Sequence, residues 1–395
     1  MIQVPEKQII EEVIAMKRIK NHLSILLTVV MVAILFTNCF AVAAEESTQD
    51  ADAYCREADQ YYNNGDYEAA FENYQKAAEL GSVDAWYMMG YCYAYGIAVQ
   101  QDYTSALLWY QKAADAGDHR AINNTGALYH HGYVGGAPDY EKAIACFKKA
   151  AEKGNMYAMS NLAKYYRDGA GGLKQDYTTA FLWFQKSAEL GYYKAQYYVA
   201  ECYENGWGVT PDQDKAILWY QKAAENGFAD AQTKLGSIYW SRQEYEKAAE
   251  WYQKAADDLI PEARYYLALL YEKGLGVEQS DSEAAKWMLA AASADYTKAM
   301  YNLGRYYWKG IGFEKTYAGA EKWFKEAAAK GDAEAMYWLG VISRDGLTGD
   351  PDYQEALTWF GQARKAGSES DAAAAIQGMI DSGYVTSEDA AEWLK

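Results

Sequence analysis

Proline, cysteine and histidine are all scarce in this sequence. The chain of 395 residues contains 5 prolines, 5 cysteines and 4 histidines. Because proline interrupts helices and central strands, its scarcity favours long regular elements. No two cysteines form a Cys-x-x-Cys pair, which excludes a redox dithiol motif and a zinc knuckle. We therefore expect the cysteines to be small buried residues without regular disulfide pairing.

Sequence motifs for enzymatic chemistry are also missing. The sequence has no Ser-x-x-Lys, Gly-x-Ser-x-Gly, His-Glu-x-x-His or phosphate-binding Gly-Lys-Ser/Thr motif. His130 and His131 are adjacent, but the sequence places no further metal ligands near them. It therefore predicts no catalytic site, no metal site and no cofactor, and it favours a protein that is not an enzyme.

Positive charge is in deficit. Lysine and arginine together number 37 against 55 aspartates and glutamates, which gives a net charge of −18 at pH 7. An acidic protein of this kind repels nucleic acids and anionic lipids, so both are poor partners. Hydrophobic residues make up 51% of the chain and aromatic residues 15%, which excludes a disordered protein.

Residues 1–44 differ from the rest of the chain. Basic residues precede an uncharged, apolar run at 23–44 that includes an Ala-Val-Ala pattern ending at Ala43. This order is typical of a secretory signal peptide cleaved after Ala43. The run is also long enough to span a bilayer, so a retained membrane anchor is the alternative. Either way, we expect the rest of the chain to be secreted, periplasmic or displayed at the cell surface.

One phrase returns nine times after this segment. The second copy reads Asp-Tyr-Thr-Ser-Ala-Leu-Leu-Trp-Tyr-Gln-Lys-Ala-Ala-Asp-Ala-Gly and occupies residues 102–117. The copies end at Gly81, Gly117, Gly154, Gly191, Gly227, Leu259, Asp295, Gly331 and Gly367, so their spacing is 32 to 37 residues. Self-similarity at this period predicts an all-α solenoid, in which each unit buries its apolar face against its neighbours.

Each copy contains two helical patterns. In the first, apolar and small residues recur on one stripe of a helix, as at Ala85, Met89, Gly90 and Tyr93. The small residue at the Gly90 position lets a second helix approach closely. Glycine follows the first helix, where a left-handed residue ends a helix at least cost. These glycines are Gly96, Gly132, Gly169, Gly206, Gly274, Gly310 and Gly346.

The second pattern begins at a residue suited to cap a helix, such as Asp102. Its inner face is expected to carry Ala106, Trp109, Tyr110 and Ala113, with the tryptophan buried. After the last copy, residues 368–395 are expected to form a C-terminal cap. There a final helix is followed by a short one that begins at the capping box Thr386–Asp389.

These phrases resemble the Sel-one-like repeat family, relatives of tetratricopeptide repeats with a longer loop inside each helix pair. The resemblance rests on the Ala-x-x-x-Leu-Gly-x-x-Tyr phrase, the Ala-x-x-Trp-Tyr-x-Lys-Ala-Ala phrase and the loops at 206–209 and 274–277. Gly65-Asp66 and Gln243-Glu244 instead join their helices directly, as in an ordinary tetratricopeptide repeat. The resemblance covers about residues 52–383 and implies a right-handed superhelix of antiparallel helix pairs at 45–367 that binds proteins or peptides.

In this superfamily, the face of the first helix opposite its packing stripe lines a concave groove. Helical spacing puts 17 residues in that groove. They are Tyr87, Tyr91, Tyr95, Asn123, His130, Lys164, Arg167, Tyr197, Glu201, Glu204, Trp240, Tyr265, Tyr301, Arg305, Trp308, Tyr337 and Arg344. Tyrosine, tryptophan and arginine are enriched at interaction hot spots.

The sequence thus favours an exported, non-enzymatic repeat scaffold that binds a protein or an extended peptide in its groove. Two alternatives stay open. By family analogy alone, the chain is an exported enzyme that acts on cell-wall material or penicillin-like compounds. If the run at 23–44 is not cleaved, the same array is a membrane-tethered adaptor.

Overall fold

The computed structural model describes Met31 and residues 50–394. The signal peptide or anchor expected at 1–44 therefore lies outside the described residues, apart from Met31. The described part of the chain is built from helices and contains no strand. Within that part, no helix has both the length and the apolar character that a membrane crossing requires.

The described helices follow one another from residue 50 to residue 381. They are α1 (50–63), α2 (Tyr67–Glu79), α3 (Val83–Tyr95), α4 (Tyr103–Asp115), α5 (His119–His131), α6 (Tyr140–Glu152), α7 (Met156–Asp168), α8 (Tyr177–Glu189), α9 (Tyr193–Asn205), α10 (Gln213–Glu225), α11 (Ala229–Ser241), α12 (Tyr245–Asp257), α13 (Pro261–Lys273), α14 (Asp281–Ser293), α15 (Thr297–Lys309), α16 (Tyr317–Ala329), α17 (Ala333–Asp345), α18 (Tyr353–Ala366) and α19 (Glu369–Asp381). The chain divides into two compact units between Ser187 and Ala188, which we call unit 1 and unit 2.

Odd-numbered helices are the first members of the nine helix pairs and even-numbered helices the second, while α19 follows the last pair. In unit 1, each helix from α2 to α6 packs against the next helix along the chain, and in unit 2 the same holds from α9 to α18. First helices of neighbouring pairs also touch, such as α3 with α5 and α15 with α17. This succession of neighbour contacts confirms the all-α helix-pair solenoid predicted from the repeat.

The helix ends form as the sequence pattern predicts. The seven glycines expected to end first helices all have left-handed backbones, with φ between 60° and 79°. The amide of Gly96, for example, donates to the carbonyl of Cys92 in the last turn of α3. At the start of the second helices, the Asp102 carboxylate accepts a hydrogen bond from the amide of Thr104. These caps satisfy backbone groups that a helix leaves unpaired at its ends.

In five of the helix pairs, the two helices meet where a second-helix ring lies over a first-helix glycine. A Cβ built on Gly90 would lie 2.6 Å from Cδ1 of Tyr110. Four further pairs show the same contact, with the Cβ position 2.5–2.9 Å from the ring: Gly126 with Phe147, Gly236 with Tyr252, Gly304 with Phe324, and Gly340 with Phe360. The five rings are at most 2% exposed. In these five pairs a Cβ would collide with the ring, so glycine permits the close approach of the two helices; in other pairs alanine stands at the same position, as at Ala200.

The tryptophan of the second helix is not the buried residue that the sequence pattern predicted. Trp109 and Trp219 are half-buried, whereas Tyr110 and Tyr220 are at most 1% exposed. A helix turns 100° per residue, so adjacent residues cannot both point to the centre of the buried stripe. The tryptophan lies at the edge of that stripe, where the Lys222 ammonium is 4.1 Å from the centre of the Trp219 ring.

The described cysteines fill space inside the helix pairs, as predicted. Cys92 and Cys202 are buried and Cys55 and Cys146 are half-buried, and none of these four forms a disulfide. Burial raises the pKa of the Cys92 thiol to about 11. The thiol is therefore protonated at neutral pH, which makes it unreactive as a nucleophile.

The capping box at the C-terminus is confirmed, but it does not start a helix. The amide of Thr386 donates to Oδ2 of Asp389 at 2.8 Å, and the amide of Asp389 donates to Oγ1 of Thr386 at 3.1 Å. Residues 387–393 form turns. These turns place the Trp393 ring against Gly361 of α18, so closely that a Cβ on this glycine would lie 2.1 Å from the ring. The Trp393 carbonyl accepts a hydrogen bond from Arg364. Residues 387–393 thus anchor the Trp393 ring on α18 without forming the helix that the pattern predicted.

Replacing Gly304 with alanine should destabilise the fold, because the new Cβ would lie 2.5 Å from two ring carbons of Phe324. Overpacking a core typically costs about 1–3 kcal/mol. Gly378→Ala is the matched control, since this helical glycine in α19 has nothing within 4 Å of its Cβ position. Alanine there should stabilise the fold by about 0.5–1 kcal/mol. Urea unfolding measures both changes, and a Gly304→Ala variant as stable as the parent would contradict the steric argument.

Candidate functional site

The predicted groove residues of unit 1 lie at different depths. Tyr95 is 63% exposed, Asn123 is 8% exposed, and Tyr87, Tyr91, His130, Lys164 and Arg167 are half-buried. Asn123 Oδ1 accepts a hydrogen bond from Asn161 on the next first helix, at 3.3 Å. Asn123 therefore connects α5 to α7 and offers little surface to a ligand.

Tyr87 is held in place by a charged cluster. The Arg120 guanidinium is 4.4 Å from the centre of the Tyr87 ring, within cation–π range. Arg120 also pairs with Asp84 and, at 2.5 Å, with Asp118. Burial opposes ionisation of Asp118, but hydrogen bonds from Arg120 and from the Ala121 amide outweigh it and lower the Asp118 pKa. The cluster therefore fixes the ring of Tyr87 against the start of α5.

A pocket of about 240 Å³ opens between α3 and α5, and we call it the tyrosine pocket. It is lined by Ala94, Tyr95, Gln101, Tyr103, Tyr110, Asn124, Ala127, Leu128, His131 and Tyr133. The rings of Tyr103 and Tyr133 are stacked, with centroids 4.3 Å apart and planes 7° apart. On the His131 side, the imidazole is 5.1 Å from the Tyr133 ring. The pocket thus presents several fixed aromatic rings.

A second pocket of about 220 Å³ lies between α5 and α7, and we call it the histidine–lysine pocket. It is lined by Ala127, His130, His131, Phe147, Asn161, Lys164 and Tyr165, so it shares Ala127 and His131 with the tyrosine pocket. His130 Nδ1 is 2.6 Å from the Tyr165 hydroxyl. Burial lowers the pKa of His130, and the charges of His131 and Lys164 lower it further. Burial also raises the pKa of Tyr165 to about 12, so this hydroxyl is protonated at neutral pH.

Sequence reasoning missed the residues that close the tyrosine pocket. Tyr133 follows the terminating glycine Gly132, and Tyr103 is the first residue of the second helix α4. A helical wheel of the first helix contains neither position. The available signal was the tyrosine that recurs at the first position of second helices, as at Tyr140 and Tyr317.

In unit 2, all the predicted groove residues are half-buried: Tyr197, Glu201, Glu204, Trp240, Tyr265, Tyr301, Arg305, Trp308, Tyr337 and Arg344. Three of these tyrosines cover the buried ring of their own pair. The Tyr197 ring is 5.2 Å from Tyr220, and the Tyr301 ring is 5.9 Å from Phe324. The Tyr337 ring is 5.5 Å from Phe360. These tyrosines are therefore part of the packing as well as of the surface.

The other unit 2 residues also have partners within the unit. The Trp308 ring is 4.8 Å from Trp338. Arg305 donates to Oδ1 of Asn302 at 2.6 Å, and Arg344 pairs with Asp345 at 2.7 Å. These side chains are engaged with neighbours; in unit 1, Tyr95, His130 and Lys164 line the two pockets.

Glu204 joins three helices of unit 2. Its Oε2 accepts a hydrogen bond from the Tyr220 hydroxyl at 2.7 Å, and its Oε1 pairs with Lys234 at 3.0 Å. Burial raises the pKa of Tyr220 far above its ordinary value, and the Glu204 carboxylate raises it further. This network connects α9, α10 and α11, so we assign Glu204 a structural role.

No metal centre is formed in the described part of the chain, where no group of three or more His, Cys, Asp or Glu side chains could hold an ion. A third, wider pocket of about 530 Å³ lies beside the loop after α5 in unit 1. Its charged residues include Asp139 and Lys142, which pair with each other at 2.9 Å. Asp139 is the residue that caps α6, so this ion pair lies at the start of that helix.

The repeated helix pairs, their glycine–ring contacts and their accessible first helices define a helical-repeat solenoid. Eight segments match the Sel1 repeat: residues 51–82, 83–118, 119–155, 157–192, 194–228, 261–296, 297–332 and 333–368. The chain belongs to the Sel1 repeat family. Residues 220–264 match a tetratricopeptide repeat, which confirms that the pair joined at Gln243-Glu244 is of the ordinary type. Repeats of both kinds generally mediate protein–protein interaction.

Solved structures with the same repeats are similar to this chain. A Sel1 repeat protein from Oxalobacter formigenes is 26% identical, with 77% of this chain and 91% of that chain covered and a TM-score of 0.57. A protective antigen of uropathogenic Escherichia coli with an SLR fold is 27% identical, with 89% and 93% covered and a TM-score of 0.45. No curated protein matches the chain.

The burial of the Tyr220 hydroxyl, together with its hydrogen bond to Glu204, should make stability fall at alkaline pH. An unfolded tyrosine ionises near pH 10, whereas the raised pKa of Tyr220 means that the folded state holds this proton more tightly. This contribution is fully present below about pH 10 and is lost as pH rises towards the folded-state value. We expect melting temperatures that are constant from about pH 7 to 9 and then fall, with a shallower fall in Tyr220→Phe. An identical alkaline slope in both proteins would contradict the assignment.

Proposed function

We propose that this protein is an exported, non-enzymatic scaffold that binds a protein or an extended peptide on the surface formed by its first helices. The observation that supports this most strongly is the pair of adjoining pockets in unit 1. Three of the residues that the repeat pattern selects for the groove, Tyr95, His130 and Lys164, line them.

The size of the pockets favours side chains of a larger partner over a free small molecule. Sites that enclose a drug-sized ligand usually measure about 300–1,000 Å³. The tyrosine pocket measures about 240 Å³ and the histidine–lysine pocket about 220 Å³. Each therefore has room for one side chain, and two adjoining pockets suit two side chains of one peptide.

Unit 1 is the part of the scaffold that we expect to provide most of the binding energy. Its tyrosine pocket presents aromatic rings already fixed by stacking, and preorganised aromatic contacts lose little conformational entropy on binding. In unit 2, Arg305 and Arg344 would first have to leave their internal partners Asn302 and Asp345. Such an exchange of partners adds little net affinity.

Peptide selection tests this function directly. A random peptide library displayed on phage is selected on the purified protein, and the enriched peptides are titrated against two variants. Tyr95 is 63% exposed in the tyrosine pocket and Leu108 is 69% exposed on a second helix, so neither substitution disturbs the core. Tyr95→Ala should weaken the selected peptides about tenfold, the loss expected of a hot-spot aromatic residue.

The matched variant Leu108→Ala should leave affinity unchanged, because Leu108 lines neither pocket. Two results would reject the proposed surface. One is a library that yields no enriched sequence. The other is a set of peptides that lose affinity with Leu108→Ala but not with Tyr95→Ala.

Export rests on the leader at 1–44 and has its own test. Intact-mass measurement of the protein recovered from its native source should give a chain that begins at Ala44, as cleavage after Ala43 requires. Recovery from a membrane fraction of a chain whose mass includes residues 23–44 would instead support the tethered adaptor. A full-length chain in the cytoplasmic fraction would reject export.

A further inference from the structure

The two pockets of unit 1 differ in chemistry although they share Ala127 and His131. The tyrosine pocket is lined by four tyrosines, of which Tyr103 and Tyr133 form a parallel stack. The histidine–lysine pocket contains a lysine and two histidines, and none of the described residues that line it is acidic. One pocket is therefore suited to an aromatic ring and the other to a negatively charged group.

An acid-free lining is notable in a chain whose net charge is −18. The overall field repels anionic ligands, so recognition of a carboxylate depends on groups that touch it. Lys164 supplies positive charge beside His130, since both side chains line this pocket. Charge-assisted hydrogen bonds from such donors are stronger than those between neutral groups.

The spacing of the pockets matches an extended peptide. One lies between α3 and α5 and the other between α5 and α7, and packed helices are about 8–10 Å apart. In an extended chain, residues two apart point the same way and are separated by about 6.5–7 Å. The side chains of these two peptide residues are long enough to cover the difference between their separation and the helix spacing. His131, which lines both pockets, then lies beneath the peptide residue between the two that enter the pockets.

We propose that these pockets together bind an extended peptide in which an aromatic residue and a carboxylate residue are separated by one residue. This inference rests on the proposed function and names the peptide class that the scaffold recognises. The ring enters the tyrosine pocket against Tyr95 and Tyr133. The carboxylate enters the histidine–lysine pocket and accepts hydrogen bonds from Lys164 and the neighbouring imidazoles.

The probes are short peptides that contain 5-fluorotryptophan, so that fluorine NMR separates the ligand from the protein's own 13 tryptophans. Acetyl-Trp-Gly-Glu-amide and acetyl-Glu-Gly-Trp-amide test the two chain directions, and the tighter one is kept. Versions with Gln or Lys in place of Glu test the charge. A version with Gln and a free C-terminal carboxylate distinguishes a chain end from an acidic side chain.

We expect the Glu peptide to bind about fivefold to tenfold more tightly than the Gln peptide, and the Lys peptide to bind most weakly. Lys164→Gln should abolish the difference between Glu and Gln. Tyr133→Ala should weaken both peptides by the same factor, because it removes a ring contact and no charge. Lys112→Gln is the matched control, since Lys112 is exposed on α4 beside the Trp109 ring, and it should change neither affinity.

Equal affinities for the Glu and Gln peptides in the unmodified protein would overturn the inference, and so would a preference for Glu that survives Lys164→Gln. Tighter binding of the free C-terminal carboxylate than of the Glu side chain would transfer the specificity to chain ends and also reject it. If library peptides that depend on Tyr95 carry no acidic residue, the scaffold function stands and only this specificity fails.

Discussion

The contact between a first-helix glycine and a second-helix aromatic ring sets the spacing of the two helices in five of the nine helix pairs. At Gly90, Gly126, Gly236, Gly304 and Gly340, a methyl group would lie 2.5–2.9 Å from the ring that faces it. Because the side chains at a crossing fix the distance between helices, these glycines give the closest approach available. Each pair packs only against its neighbours, so an error in one spacing is passed to the next pair.

The buried rings also determine what the outer face of the first helices does. Residues on that face cover the ring that the second helix of the pair buries. In unit 2, Tyr197, Tyr301 and Tyr337 do so. In unit 1, the stacked rings of Tyr103 and Tyr133 line the tyrosine pocket, which lies between α3 and α5. Residues outside the repeated helical stripe thereby give unit 1 a local pocket.

The sequence predicted what depends on local chemistry. Helix ends, the role of Gly90 and the tetratricopeptide-type pair at Gln243-Glu244 all followed from spacing, because caps and close contacts demand particular residue types. It failed where one turn of helix offers two similar residues, as with Trp219 and Tyr220. It also failed for the pockets, because a loop residue such as Tyr133 takes its position from tertiary packing and not from helical periodicity.

A double-mutant cycle at Gly340 and Phe360 tests the glycine–ring constraint most directly. Alanine at position 340 should cost about 1–3 kcal/mol when the phenylalanine is present, because its Cβ would lie 2.7 Å from Cδ1 of that ring. In the Phe360→Leu background the ring is gone, and the same change should cost at least about 1 kcal/mol less, a coupling typical of residues in contact. Urea unfolding of the four proteins gives this coupling energy. Purely additive effects would show that the ring does not limit the residue at position 340 and would contradict the constraint.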